Sequence, residues 1–210
     1  MEHECTGVIL AGGRNSRLPG IKKTFHEING KKIMDIIYEI LSSIFDEIII
    51  VTNEPHEFTE WDALIVSDID QSRCSLAGIH AGLYYSSKKH IFVSACDTPF
   101  LNKELIVYIL SQINPKFDVI IPETEGGFEA LCAVYSRDSL PAIEKNLQNR
   151  VYMVKKFFKK NRVKVISRKK IKKFDPDMNS FFNINTPEDL EKAKMMKAKK
   201  CFKYVGKKEN

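Results

Sequence analysis

Hydrophobic residues along this chain fall into two alternating textures. Short, nearly continuous apolar runs at residues 6–11, 47–52, 63–66, 90–95, 117–121 and 130–135 are mostly rich in Ile and Val, as in strands buried on both faces. Helical stretches separate them. Residues 32–44 follow an Asn29-Gly30 turn, residues 76–87 begin near Ala77-Gly78, and residues 103–113 follow Asn102, a good N-cap. The last helix has the clearest start, with Thr186 as N-cap, Pro187 at the first helical position and Asp189 in a capping-box-like place. This alternation predicts an α/β fold with a mostly parallel sheet covered by helices on both faces. Ligands in such a sheet sit beyond the carboxyl ends of the strands.

Composition narrows the class. A chain of 210 residues that is 43% hydrophobic can bury a substantial core, and one domain is the default at this size. The expected division is a domain over residues 1–194 followed by a basic C-terminal tail over 195–210. The N-terminus lacks a basic segment followed by an apolar signal core, and no apolar run approaches the roughly 20 residues of a membrane span. A cytoplasmic protein with no membrane association is expected. The five cysteines form no Cys-x-x-Cys pair and leave one over, which points to free thiols.

The net charge of +6 is unevenly spread. Residues 1–149 carry 13 Lys and Arg against 21 Asp and Glu, whereas residues 150–173 carry 12 against none. The basicity therefore lies outside the N-terminal half. Val151, Val154, Phe157 and Phe158 give residues 150–173 an apolar helical face, with the lysines turned outward. That segment is either a recruiting surface for an anion or a solvated helix face; the last 19 residues read as a solvated tail, and nucleic acid is not an expected partner.

The chemistry concentrates in the run from Gly7 to Lys23. Gly12 and Gly13 let the chain bend sharply after an apolar strand, with no Cβ to hold a ligand away from the backbone amides. Arg17 can fork onto phosphate oxygens, and Lys23 is a compact charge that a folded-back loop can bring to the same phosphates. The loop is neither a Walker A loop, since Ile21 follows Gly20, nor a Gly-x-Gly-x-x-Gly fingerprint. A plain strand-to-helix turn with solvated charges is the alternative. Asp97 follows a second apolar strand and precedes Thr98-Pro99, so its carboxylate emerges at the carboxyl edge, where it can hold Mg²⁺ beside substrate phosphates or act as a turn residue. Asn53 closes a third strand, and its amide can meet a base edge or serve the turn.

The Leu-Ala-Gly-Gly-x-x-Ser-Arg-x-x-Gly-x-x-Lys pattern of residues 10–23 resembles the signature of nucleotidyltransferases that activate small phosphorylated metabolites, and most closely the molybdenum cofactor guanylyltransferases. Ser75-Leu76-Ala77-Gly78-Ile79, Ala95-Cys96-Asp97-Thr98-Pro99-Phe100 and Phe182-Asn183-Ile184-Asn185-Thr186-Pro187-Glu188-Asp189-Leu190 extend the resemblance over roughly residues 7–194.

The resemblance implies a single-domain, Rossmann-like, three-layer αβα nucleotidyltransferase fold. It implies transfer of GMP from GTP to the phosphate of molybdenum-bearing molybdopterin, with release of pyrophosphate and formation of molybdopterin guanine dinucleotide. Leu10, Ala11, Gly12, Gly13, Lys23, Asn53, Asp68 and Asp97 would bind the nucleotide; Arg17, Lys23 and Asp97 would stabilise the reaction, with Mg²⁺ on Asp97. Arg150, Asn183 and Asn185 would face the acceptor. Gly12 points to guanine, since members with Leu-Ala-Ala-Gly tend to use CTP. Proteins that handle molybdopterin or mature molybdoenzymes are the further partners implied.

The chain departs from the family pattern at Pro19, Lys22 and residues 149–151, which bears on the acceptor and leaves nucleotide binding intact. Other readings are a molybdopterin or isoprenoid cytidylyltransferase, a cobinamide-phosphate guanylyltransferase, or a non-catalytic GTP-binding protein.

Overall fold

A computed structural model of the chain describes residues 4–12, 23–158 and 162–205, with the side chains of all but Lys23 and residues 197–205. At its centre, strand β1 (Cys5–Leu10) is buried along its whole length. It is flanked in parallel by β4 (Ile48–Val51) and β6 (His90–Ala95), with Leu10 opposite Val51 on one side and Ala95 on the other. Between them in sequence lie the two-residue strands β2 (Glu27–Ile28) and β3 (Lys31–Lys32), a separate hairpin, and the short β5 (Leu64–Val66), which extends the sheet beyond β4. The Asn29-Gly30 turn of the hairpin has positive φ at both residues (53° and 76°), the left-handed pair that a two-residue β-turn requires.

The remaining strands are β7 (Val119–Thr124), the short β8 (Gly127–Phe128), β9 (Cys132–Ser136) and β10 (Val163–Ile166). The order across the sheet is β10-β7-β9-β6-β1-β4-β5, with β8 hairpinned onto β7. Only β9 runs against its neighbours in this order, antiparallel to both β6 and β7. The predicted mostly parallel sheet is therefore present. The six predicted strands match six of its eight to within a few residues, β8 and β10 being the two not predicted.

Successive side chains of a strand point to opposite faces, and β1 shows both. Ile9 joins one core with Ile33, Met34, Ile37 and Leu41 of α1 (Ile33–Ser42), Leu105 and Ile109 of α3 (Lys103–Leu110), and Leu190 and Ala193 of α6 (Pro187–Val205). Val8 and Leu10 join the other, with Leu76, Ile79 and Leu83 of α2 (Ser75–Tyr85) and Ile143 and Leu147 of α4 (Leu140–Gln148). Helices thus cover both faces, giving three αβα layers. Helix α2 approaches β1 closely: a Cβ on Gly82 would stand 3.0 Å from Val8 Cγ1 and 3.2 Å from Ile91 Cδ1.

One expectation is corrected. The basic stretch at 150–173 is not an amphipathic helix. Arg150 takes a left-handed φ of 57° directly after α4 and ends that helix. A 3-10 turn at Val154–Lys156, strand β10 and the single-turn α5 (Arg168–Ile171) follow. Val163, Val165 and Ile166 are β-branched, and they pair with β7 from Val119 to Pro122. Of the four expected anchors only Phe157 is buried; Val154 and Phe158 are half-buried and Val151 is exposed. Helix α6 continues to Val205, past residue 194.

Candidate functional site

The carboxyl ends of the parallel strands are held together one residue beyond the sheet. Ala11 donates to the Val51 carbonyl (2.8 Å), Thr52 to that of Val66 (2.8 Å) and Cys96 to that of Leu10 (3.2 Å). Gly12, Asn53, Asp68 and Asp97 therefore leave one continuous edge. Leu10 packs its side chain into the core beside Gly78, so only its backbone reaches this edge.

Gly12, Asn53 and Asp68 form one end of the site. Asn53 Nδ2 donates to Asp68 Oδ2 at 3.1 Å, and a Cβ built on Gly12 would lie 3.5 Å from that same nitrogen. Burial pushes the Asp68 carboxyl above its ordinary value, opposed by the Asn53 hydrogen bond; the Asp70 charge raises it further and Arg73 lowers it. Asp70 itself serves its own turn. It accepts from the Ser72 amide at 2.9 Å, and Ser72 holds its carboxyl below the usual range.

Asp97 anchors the other end. Thr24, next to Lys23, donates its hydroxyl to the Cys96 carbonyl at 3.2 Å, so the chain returning from the glycine-rich loop docks against the residue before Asp97. Ile184 donates its amide to the Asp97 carbonyl at 2.9 Å, which brings the Asn-x-Asn segment alongside. That segment is fixed in turn by Asp189, whose Oδ2 accepts from the amides of Asn185 (3.1 Å) and Thr186 (3.0 Å), while Thr186 Oγ1 caps Asp189 (3.2 Å). Asp97, Asn183 and Asn185 line one cavity of about 240 Å³ together with Thr98, Ser180 and Glu129.

Glu129 escaped the sequence reading. It arrives at this edge because β9 is antiparallel: Cys132 at the start of β9 stands opposite Ser94 near the end of β6, so the loop entering β9 faces the loop leaving β6. The signal available in sequence was the Gly126-Gly127 turn just before it. Its carboxylate accepts the Thr124 hydroxyl at 2.6 Å.

Gly13, Arg17 and the side chain of Lys23 lie outside the described residues. Arg150 follows α4, exposed, and is not among the residues lining the Asp97 cavity. The donors at the cavity are hard oxygens. They suit a cation held by one or two carboxylates and completed by substrate phosphates, since no three His, Cys, Asp or Glu side chains gather into a cage among the described residues. No helix among the described residues is long and apolar enough to cross a membrane.

The chain is similar to known proteins along most of its length. The profile of the family described as "MobA-like NTP transferase domain" matches residues 7–165. The chain is 43% identical over 188 residues to the molybdenum cofactor guanylyltransferase of Desulfosudis oleivorans, covering 90% of this chain and 93% of that protein. It is 32% identical to that of Syntrophotalea carbinolica, covering 89% of each. The crystal structure of molybdopterin-guanine dinucleotide biosynthesis protein A from Archaeoglobus fulgidus superposes with a TM-score of 0.81 at 27% identity, over 92% of this chain and 99% of that one. The 4-diphosphocytidyl-2C-methyl-D-erythritol synthase of Anaerococcus prevotii shares the fold alone, with a TM-score of 0.67 at 17% identity over 91% of this chain and 95% of that one. The family match spans most of the chain and the identity holds over nine-tenths of it, so the chain belongs to the molybdenum cofactor guanylyltransferases of the MobA-like NTP transferase family.

Proposed function

We propose that the protein transfers GMP from GTP to the phosphate of molybdenum-bearing molybdopterin, forming molybdopterin guanine dinucleotide. Residues 1–194 carry the activity and 195–210 form a basic extension. The observation that carries this reading is the meeting of two sub-sites on one sheet edge: the Gly12, Asn53 and Asp68 group, and the cavity containing Asp97, Asn183 and Asn185. The first suits a guanine, whose N1–H and 2-amino donors match the Asp68 carboxylate and whose O6 can accept from the Asn53 amide. The second suits phosphates and the acceptor.

In this mechanism an oxygen of the acceptor phosphate attacks the α-phosphorus of GTP. The bond from that phosphorus to the bridging β-oxygen breaks, and pyrophosphate departs with the electron pair. The nucleophile is already ionised near neutral pH, so no general base is required. Backbone amides after Ala11, with Arg17 and Lys23, hold the triphosphate in line and offset the charge that develops. Asp97, supported by Asn185, is the residue to hold Mg²⁺, which neutralises phosphate charge when bound. Asn183 and Arg150 face the acceptor. The thiols of Cys5, Cys74 and Cys132, none of them in a disulfide, support a cytoplasmic setting, and proteins that supply molybdopterin or receive the finished cofactor are the partners this reaction requires.

A turnover screen of four nucleotides against several phosphorylated acceptors tests the reading. Pyrophosphate release only with GTP and molybdenum-bearing molybdopterin is the expected result; CTP use, or transfer to another phosphorylated acceptor, overturns it.

A further inference from the structure

We propose that Glu129 recognises the acceptor by its pterin ring, accepting two hydrogen bonds from the ring's 2-amino and N3–H donors. The inference rests on the guanylyl-transfer reading and adds to it the residue that selects the acceptor's head group.

Three observations point to Glu129. It lines the same cavity as Asp97, Asn183 and Asn185, so it faces the side where the acceptor phosphate must arrive. Its carboxylate is pre-oriented: Thr124 Oγ1 donates to Oε1 at 2.6 Å, a much shorter contact than the 3.4 Å to its other acceptor, the Gly127 carbonyl, while accepting from the Gly126 amide at 3.1 Å. The backbone beneath it is equally tied down, because the Glu129 amide donates to Pro122 (3.0 Å) and its carbonyl accepts from Cys132 (3.1 Å). An ionised carboxylate has about four acceptor positions, so a single bond from Thr124 leaves capacity for a two-point donor.

The chemistry then becomes symmetric. Guanine and pterin present the same donor edge, an amino group beside a ring N–H. The structure offers a carboxylate for each, on either side of the strand ends that carry Gly12 and Asp97. Asp68 leaves β5 and is held by Asn53; Glu129 enters β9 and is held by Thr124. Strands β5, β4, β1, β6 and β9 are consecutive in the sheet, so the two carboxylates are separated by four inter-strand steps, ~19 Å at about 4.8 Å each. Both heads of a dinucleotide joined through two phosphates can reach across a span of this order.

The test compares 6-hydroxymethylpterin with 6-hydroxymethyllumazine, in which a carbonyl replaces the 2-amino group, as ligands of the full-length protein measured by titration calorimetry. The native protein should bind the pterin at least tenfold more tightly. Glu129→Gln, which turns an amide donor toward the ring, should bring the ratio close to one, and Thr124→Val should reduce it to a smaller degree. In turnover, Glu129→Gln should raise KM for molybdopterin about tenfold or more and leave KM for GTP within twofold. An unchanged pterin-to-lumazine ratio in a folded Glu129→Gln variant overturns the proposal. A rise in KM for GTP or in the Mg²⁺ requirement equal to the rise for molybdopterin overturns it too, assigning Glu129 to the triphosphate. Failure of the native protein to transfer GMP would overturn the underlying reaction instead, while the binding ratio still decides the role of Glu129.

Discussion

Ile184 donates its amide to the Asp97 carbonyl at 2.9 Å, a backbone contact to the segment carrying Asn183 and Asn185 that a change of the Asp97 side chain leaves in place. Asp97→Ala should therefore keep its fold and melting temperature while losing transfer activity by a factor of at least about 10², the scale seen when a single charge-stabilising group is removed. Steady-state kcat at saturating Mg²⁺, beside a thermal melt, checks this; near-native turnover removes Asp97 from the mechanism.

Gly12→Ala separates space for the ligand from space for the fold. The added methyl would meet Asn53 Nδ2 at 3.5 Å, the Val51 carbonyl at 3.9 Å and Thr52 Cα at 4.0 Å, all ordinary contacts. Stability should be nearly unchanged. In the proposed site the same methyl stands where guanine or its phosphates would approach the backbone, so kcat/KM for GTP should fall and the GTP-to-CTP ratio should shrink. An unchanged ratio would remove Gly12 as the source of purine preference.

The Asp68 carboxyl titrates above the ordinary aspartate value of 3.8 because it is partly buried. In the proposed site its ionised form accepts from guanine, so acidification should raise KM for GTP at a higher pH than an ordinary aspartate would. Asn53→Ala deletes a hydrogen bond that lowers this carboxyl, and should move the rise to still higher pH; Asp68→Asn should abolish it. The stability sign is opposite to that of a paired carboxylate. Asp68 binds its proton more tightly folded than unfolded, so its cost is absent below the unfolded value and appears as pH rises through the folded one. KM for GTP and chemical denaturation, each followed across pH, check both signs.

Arg150 occupies a left-handed backbone position that costs a non-glycine residue roughly 1 kcal/mol. Arg150→Gly should leave stability equal or raise it by about that amount. If the side chain recruits the anionic acceptor, KM for the acceptor should nevertheless rise and lose part of its salt dependence, with KM for GTP steady. Acceptor kinetics identical to the native protein's would mark the basic segment as a solvated surface.

Gly82→Ala should destabilise the fold by about 1–3 kcal/mol, since its Cβ would press on Val8 and Ile91, both fully buried in the sheet. A urea unfolding curve measures it.

Much of this was legible in the sequence. Asn102 caps α3 as expected, accepting from the Leu105 amide at 2.9 Å, and Thr186 with Asp189 forms the reciprocal cap at the start of α6. Cap signals are local, so they survive tertiary packing. Asn53 and Asp68 are unconnected in the sequence pattern and the fold joins them by one hydrogen bond, because strand order decides which loop ends are neighbours. The basic segment was misread for a related reason. Its apolar residues fit a helical period over a few positions, but Val163 to Ile166 needed an open sheet edge at β7, which no local pattern announces. Glu129 was missed because its place depends on the direction of β9, a property of the whole sheet.

That direction has a consequence for how such an enzyme can change. Every parallel strand offers this edge only the loop that leaves it, and those loops carry the nucleotide-side residues. The reversed β9 offers the loop that enters it, and that loop is tied to the core at its far end, where the buried Tyr135 donates its hydroxyl to the Ala130 carbonyl at 2.7 Å. Substitutions confined to residues 124–129 would therefore vary what this loop presents while the strand exits at Gly12, Asn53 and Asp68 stay as they are.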